Sequence, residues 1–160
     1  MFLRFSNVEK SDEKLGVNVM KTKRKVLAYI TKGEEPDMEL LVFEHKGEPE
    51  AGVQVPGGTV EEDEPLIDAL YREITEETGI TREGLFLLGK VHKYIYYPDG
   101  KDTAYERNFF HFGYVGQQTE WEHDVVSDGP DNGMTFQFRF VPLSDLPKLA
   151  GEQDVALDFL

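Results

Sequence analysis

Acidic side chains crowd a short stretch of this sequence, residues 57–80, which reads GGTVEEDEPLIDALYREITEETGI. If the stretch is helical, Glu73, Glu76 and Glu77 stand at positions i, i+3 and i+4 and share one surface. Three neighbouring carboxylates repel one another unless positive charge lies among them, and Arg72 supplies only one such charge. Hard oxygen ligands of this kind suit Mg²⁺ or Mn²⁺. The spacing therefore predicts a divalent-metal site.

The same stretch matches the Nudix box, G-x5-E-x7-R-E-U-x-E-E-x-G-U, in which U is a bulky aliphatic residue. A motif with this many fixed positions and gaps is a specific signal. The chain therefore resembles the Nudix hydrolases, which use divalent metal to cleave diphosphate bonds in compounds built as a nucleoside diphosphate linked to another group. The resemblance implies an α/β fold, an α/β/α sandwich with a mixed β-sheet between helices. The matching positions are Gly58, Glu64, Arg72, Glu73, Ile74, Glu76, Glu77, Gly79 and Ile80.

The resemblance also implies roles for the catalytic residues. It makes Glu73 and Glu77 metal ligands, and it makes Glu76 either a third ligand or the group that handles the nucleophilic water. The backbone carbonyl of Gly57 completes the implied ligand set for Mg²⁺ or Mn²⁺. Paired glycines allow the tight turn that such a carbonyl contact requires.

Two further residues of the motif, Arg72 and Glu64, are implied to orient the metal ligands. An arginine fork that holds carboxylates is physically suited to this supporting task.

The general base and the substrate contacts are less constrained, because family members differ in both. Glu106 and a loop expected at 120–131, which contains Glu122, are the preferred sources of a distant base, because both flank strands expected near the cleft. Tyr96 and Tyr97 are candidates for stacking on a nucleobase, near where members that cleave dinucleoside polyphosphates place a tyrosine. Each of these acids is also explained as an ordinary solvated loop residue, and each tyrosine as an ordinary core aromatic. The acids eligible as base are Glu106, Glu120, Glu122, Asp124, Asp128 and Asp131.

Composition limits the partners and the compartment. The formal net charge of −14 argues against binding long nucleic acid duplexes, since backbone contacts need a basic surface. The absence of cysteine excludes thiolate zinc sites and argues against the related isopentenyl diphosphate isomerase, which needs a cysteine. Without an apolar run of membrane length or a secretory signal pattern, a soluble cytoplasmic protein is expected.

The chain length predicts one domain over residues 1–160, and the polar, mixed residues 1–24 are expected to form a flexible or loosely packed arm. Two hairpins of strands are expected, one at 26–33 and 38–47 and the other at 85–97 and 105–116. Further strands are expected at 53–58, entering the glycine turn, and at 134–143. A helix should begin near Glu64 and Pro65 and end at Gly79. A terminal helix is expected after Ser144 as its N-cap.

The function predicted from these features is hydrolysis of a phosphoanhydride in a nucleoside di- or triphosphate or another small molecule linked to a nucleoside diphosphate. Alternatives within the family are pyrophosphohydrolases of dinucleoside polyphosphates or of RNA 5′ ends. An alternative of another class is a nucleotide-sensing module without catalysis. Several family members dimerise, so a homodimer remains open.

Overall fold

The structure, a computed structural model, describes residues 20–160, and these residues form one seven-stranded mixed sheet with one α-helix. The order across the sheet is β4-β5-β1-β2-β7-β6, and β3 pairs with β1 beside this path. The central pair, β1 and β5, is parallel, and the other strand pairs are antiparallel. The elements are β1 (Lys21–Lys32), β2 (Glu39–His45), β3 (Gly57–Thr59), α1 (Leu66–Thr78), β4 (Leu85–Tyr96), β5 (Thr103–Tyr114), β6 (Glu120–Asp124) and β7 (Thr135–Pro142).

Both faces of the central strands are buried, which explains the continuous apolar run VLAYI in β1. On one face, Val26, Ala28 and Ile30 pack against the apolar stripe of α1. On the other face, Leu27 and Tyr29 pack against the C-terminal segment, residues 143–160. Alternate side chains of one strand thus serve two cores.

The sheet opens between β1 and β2. These strands pair only near Thr31 and Lys32, and the chain from 54 to 59 occupies the opening. Gln54 bridges to Phe43 of β2, whereas Gly57–Thr59 pairs with β1 from Lys25 to Leu27. The glycine turn is therefore held inside the sheet, next to α1.

Most of the expected elements are confirmed. Both hairpins, the central helix and the strand near residues 134–143 form as predicted, and the α/β class with a mixed sheet is correct. The short strand expected at 53–58 is divided into the bridge at Gln54 and the strand β3 at Gly57–Thr59.

Three expectations were wrong in detail. Strand β1 begins at Lys21, so the basic run lies in the sheet because β5 pairs with it there; residues 1–19 of the expected arm lie outside the described residues. The segment expected as a loop at 120–131 begins with strand β6. The terminal helix is replaced by short 3-10 turns, and Ser144 lies within one of them, because Pro147 and the positive φ of Gly151 (55°) interrupt a helix.

No helix in the described residues is long and apolar enough to cross a membrane.

Candidate active site

The two glycines of the turn are required by close contacts. A Cβ atom on Gly57 would collide with the backbone carbonyl oxygen of Val26. A Cβ atom on Gly58 would fall within the carboxylate of Glu73. Only glycine allows the turn to approach both β1 and α1 this closely.

Helix α1 presents its acidic face to this turn. Its buried stripe of Ala69, Leu70 and Ile74 fixes the rotation of the helix against the sheet. The helix ends at Gly79, whose φ of 79° is the left-handed conformation that glycine adopts readily. The rotation places Glu77 on the buried side and leaves Glu73 and Glu76 nearer the solvent edge.

Glu77 is held in an unusual environment for a carboxylate. Only 4% of the residue is exposed, and its Oε1 accepts a hydrogen bond from the Gly57 amide at 2.7 Å. Burial raises the pKa of Glu77 well above its usual range, and the amide hydrogen bond opposes this only in part. The helix and the turn are therefore joined through a carboxylate that lacks a full counter-charge.

Arg72 is the hub of the remaining carboxylates. It donates to both oxygens of Glu64, at 2.8 Å each, and to Glu73 at 2.9 Å and Glu76 at 3.3 Å. Its Nη2 also donates to the carbonyl oxygen of Thr59 at 3.0 Å. The hydrogen bond from Arg72 lowers the pKa of Glu64, and the contacts with Glu64 raise the pKa of Arg72. Arg72 thus ties the helix to the turn.

The pKa values of Glu73 and Glu76 are also raised. Burial raises the pKa of Glu73 to about 7, despite the opposing influence of Arg72. Burial also raises the pKa of Glu76. Buried carboxylates with raised pKa values are short of positive charge, which is the condition that a bound cation relieves.

A divalent metal fits the chemistry of these donors. Within residues 20–160, no three acidic or histidine side chains are already gathered around a common point. Arg72 instead holds one oxygen of Glu73 and one of Glu76, and Gly57 faces Glu77 through its amide. The oxygen-only ligand set is the kind that Mg²⁺ and Mn²⁺ prefer, provided that the carboxylates turn away from Arg72.

Two cavities meet at the glycine turn. The carboxylate cavity, about 260 Å³, is lined by Arg72, Glu73 and Glu76 and by residues 127–131. The inner cavity, about 230 Å³, extends past Glu77 to a wall that includes His45 and Gln54. Both cavities are lined by Lys25, Gly58 and Asp131.

The aromatic and polar groups of the inner cavity come from separate strands. His45 stacks near Phe136, with ring centroids 4.5 Å apart, and its Nδ1 is buried without a hydrogen-bond partner among the described residues. Tyr105 and Arg107 of β5 also line the cavity. The cavity can therefore accommodate an organic group with both apolar and polar character.

The structure brings some of the candidate bases to the site. Asp131 lines both cavities, and Asp128 lines the carboxylate cavity. Glu106 instead pairs with Lys93 at 3.3 Å, outside the lining of either cavity.

The strand β6 carries three other candidates away from the carboxylates. Glu122 binds Lys46 at 3.0 Å and Gln137 at 3.1 Å on an exposed surface. Glu120 and Asp124 are exposed on the same strand.

The two tyrosine candidates differ from each other. Tyr96 does not line either cavity, but it contacts two residues that line the inner one: its ring centroid lies 6.5 Å from that of Tyr105 and 3.9 Å from the Arg107 guanidinium. Tyr97 is 61% exposed and lies outside the lining of both cavities.

Sequence reasoning missed residues that support the last turn of α1. Trp121 donates through Nε1 to the carbonyl oxygen of Thr78 at 2.9 Å. The Nε2 atom of His123 lies 3.1 Å from the carbonyl oxygen of Glu76. In β6, Trp121 and His123 alternate with acidic residues, and this alternation could have predicted a strand with one buried face. The segment is too short for the pattern to be clear.

The chain also matches known proteins. The model of the NUDIX domain matches residues 21–159. The RNA pyrophosphohydrolase of Bartonella tribocorum is 29% identical over 61% of this chain, and the match spans 60% of that protein, which is less than two thirds of its length.

Solved structures show the same fold. The MutT NUDIX hydrolase from Burkholderia pseudomallei has a TM-score of 0.62 at 22% identity, over 88% of this chain and 98% of that chain. A C. elegans Ap4A hydrolase has a TM-score of 0.61 at 19% identity, over 84% of this chain and 90% of that chain. The family match covers the sheet, the glycine turn and the acidic helix together. The chain belongs to the NUDIX domain family.

Proposed function

We propose that this protein is a divalent-metal-dependent pyrophosphohydrolase of a nucleotide-like small molecule. The substrate is a nucleoside di- or triphosphate or another compound linked to a nucleoside diphosphate. One observation above all supports the proposal. Three carboxyl groups with raised pKa values, those of Glu73, Glu76 and Glu77, lie near the glycine turn where two cavities meet. Such a cluster is costly to maintain and is typical of a functional site.

Glu73, Glu76 and Glu77, with the carbonyl of Gly57, are the groups that would hold Mg²⁺ or Mn²⁺. A bound divalent ion would neutralise the phosphate charge and help to activate water. In a chain with a net charge of −14, local positive charge is needed before an anionic diphosphate can bind.

The residues around the ligands have distinct tasks in this proposal. Arg72 fixes the positions of the Glu64, Glu73 and Glu76 carboxylates relative to the turn through its hydrogen bonds. Glu76 is the most exposed of the three carboxyl groups with raised pKa values, and it either completes the ligand set or accepts a proton from the attacking water. Asp131 is the second candidate for that role, because it lines both cavities.

Hydrolysis at RNA 5′ ends is the second candidate activity. It is favoured by the similarity to a protein named as an RNA pyrophosphohydrolase. The basic side chains at the start of β1 offer a short contact for such an end, whereas the net charge of −14 opposes a long one. We propose the small nucleotide as the main substrate and a cytoplasmic location for the reaction.

A substrate panel tests the proposal. Release of phosphate, pyrophosphate or nucleoside monophosphate is measured for nucleoside di- and triphosphates, ADP-ribose, nucleotide sugars, dinucleoside polyphosphates and 5′-triphosphate RNA. Each reaction is run with Mg²⁺, with Mn²⁺ and with chelator. Metal-dependent cleavage of at least one small nucleotide supports the proposal, and preference for the RNA supports the second candidate. Tight nucleotide binding without cleavage across the panel would instead indicate a sensing module.

A further inference from the structure

Lys25 lies where the carboxylate cavity meets the inner cavity. It belongs to β1, immediately before the buried run, and its side chain lines both cavities. The Nζ atom donates to Thr59 Oγ1 at 2.6 Å and lies 5.1 Å from the centroid of the Tyr105 ring. These contacts hold the ammonium group at the boundary between the cavities.

The ammonium group of Lys25 has no close counter-charge in the part of the chain that is described. No carboxylate oxygen among residues 20–160 lies within 4.0 Å of its Nζ, although Glu73 and Asp131 are near enough to affect its titration. Burial lowers the pKa of Lys25, and Glu73 only partly offsets this effect. Buried charges are ordinarily paired, so a half-buried lysine without a carboxylate partner is suited to bind an anion.

The two arginines at the cavities are already engaged. Arg72 binds Glu64, Glu73, Glu76 and the carbonyl of Thr59. Arg107 donates to the carbonyl oxygen of Gly151 and stacks on Tyr96.

Lys25, by contrast, uses one hydrogen bond to a protein group, that to Thr59 Oγ1, in the described residues. An ammonium group has three donors, so two remain for a ligand. Lys25 is therefore a cation with donors left for an anion where the two cavities meet, whereas Arg107 lines the inner cavity alone.

We propose that Lys25 binds the phosphoryl group next to the one that is hydrolysed. The ligand class is a compound with two consecutive phosphoryl groups, one in the carboxylate cavity and the next at Lys25, whose organic part extends into the inner cavity. This inference rests on the proposed function, because it assigns hydrolysis to the carboxylate cavity. It adds a substrate contact outside the acidic motif and gives the substrate a direction.

An alternative role for Lys25 is that of a counter-ion for the carboxylates, with no contact to substrate. The two roles differ in what Lys25→Met does. Removing a positive charge beside the carboxylates leaves Mn²⁺ affinity unchanged or increases it in either case. Only a phosphoryl contact makes the same variant bind a diphosphate more weakly.

The test measures binding of methylenediphosphonate, a diphosphate analogue that is not hydrolysed, by calorimetry at saturating Mg²⁺. Lys25→Met should weaken binding by about tenfold or more, because a charge-assisted hydrogen bond is lost. Lys25→Arg should restore most of the affinity. Lys90→Met is the control, since Lys90 is an exposed lysine of β4 outside both cavity linings, and it should bind as the wild type does.

Titration with Mn²⁺, followed by electron paramagnetic resonance, shows in parallel that the metal site of each variant is intact. Wild-type affinity for methylenediphosphonate in Lys25→Met, or no binding by the wild-type protein, overturns the assignment. A Lys25-dependent affinity without turnover of any nucleotide would refute the hydrolase proposal and leave the phosphoryl contact standing. Turnover of a nucleotide without a Lys25-dependent affinity would refute the phosphoryl contact and leave the hydrolase proposal standing.

Discussion

Replacing Glu77 with glutamine should make the protein more stable than the wild type without metal and less stable than the wild type with Mg²⁺. Glutamine has nearly the same volume, and its side-chain oxygen can still accept the Gly57 amide hydrogen bond of 2.7 Å. The change removes a buried charge whose pKa is raised well above normal by burial. Without metal at pH 8, Glu77→Gln should therefore be more stable than the wild type.

The magnitude follows from the cost of ionising a buried carboxyl group. Each unit of pKa elevation corresponds to about 1.4 kcal/mol of destabilisation at a pH above the folded-state pKa. Burying the new amide group without a partner offsets part of this gain by about 1 kcal/mol or more. The expected net effect in chelator is a gain in the free energy of unfolding, because ionising the buried carboxyl group costs more than burying the amide.

Metal should invert this result. A ligand that binds only the folded state at one hundred times its dissociation constant adds about 2.7 kcal/mol of stability. The wild type should gain this increment in Mg²⁺, and Glu77→Gln should gain little of it. Urea denaturation at pH 8, in chelator and in Mg²⁺, measures both free energies. The same order of stability in the two buffers would refute the reasoning.

Three further predictions concern the same site. Gly58→Ala should fold but bind Mn²⁺ at least about tenfold more weakly, because the new methyl group displaces the Glu73 carboxylate. Electron paramagnetic resonance measures this affinity. Wild-type affinity in the variant would show that this contact does not affect metal binding. Because the pKa of Glu73 rises from 4.5 to about 7 on folding, its contribution to stability, up to about 3 kcal/mol, is present below pH 4.5 and lost as the pH rises to 7. Denaturation in chelator should show this loss and saturating Mg²⁺ should reduce it, whereas identical pH profiles in the two buffers would contradict it. Trp121→Phe should lower the free energy of unfolding by about 1 kcal/mol, because it removes the hydrogen bond to the Thr78 carbonyl; an unchanged denaturation midpoint would mean that this bond contributes nothing.

The local features of the site could be predicted from sequence because they depend on short-range geometry. Helical spacing alone places Glu73, Glu76 and Glu77 on neighbouring positions, and Gly79 marks the end of the helix. The glycine requirement at the turn also follows from a motif whose positions are fixed in sequence. The orienting role of Arg72 was predicted from the resemblance, but its hydrogen bond to the carbonyl oxygen of Thr59 was not, because that bond depends on how the helix meets the turn.

Long-range contacts explain what sequence reasoning missed. Lys25 reaches the site because β1 pairs with β3 and with β5, neither of which is near it in sequence. Glu122 faces Lys46 instead because β6 pairs at the edge of the sheet with β7. The C-terminal segment covers the sheet through tertiary packing of Leu149 and Ala156, so its helical propensity did not decide its structure.

Turnover of the best small nucleotide from the panel, measured against Mg²⁺ concentration, tests the central claim most directly. Wild type, Glu77→Gln and the control Glu122→Gln are compared, since Glu122 is an exposed carboxylate bound to Lys46 away from both cavities. Glu77→Gln should lose turnover by about a thousandfold at every Mg²⁺ concentration, while Glu122→Gln should keep the wild-type curve. Wild-type turnover by Glu77→Gln at saturating Mg²⁺ would contradict the assignment of the metal site to these carboxylates.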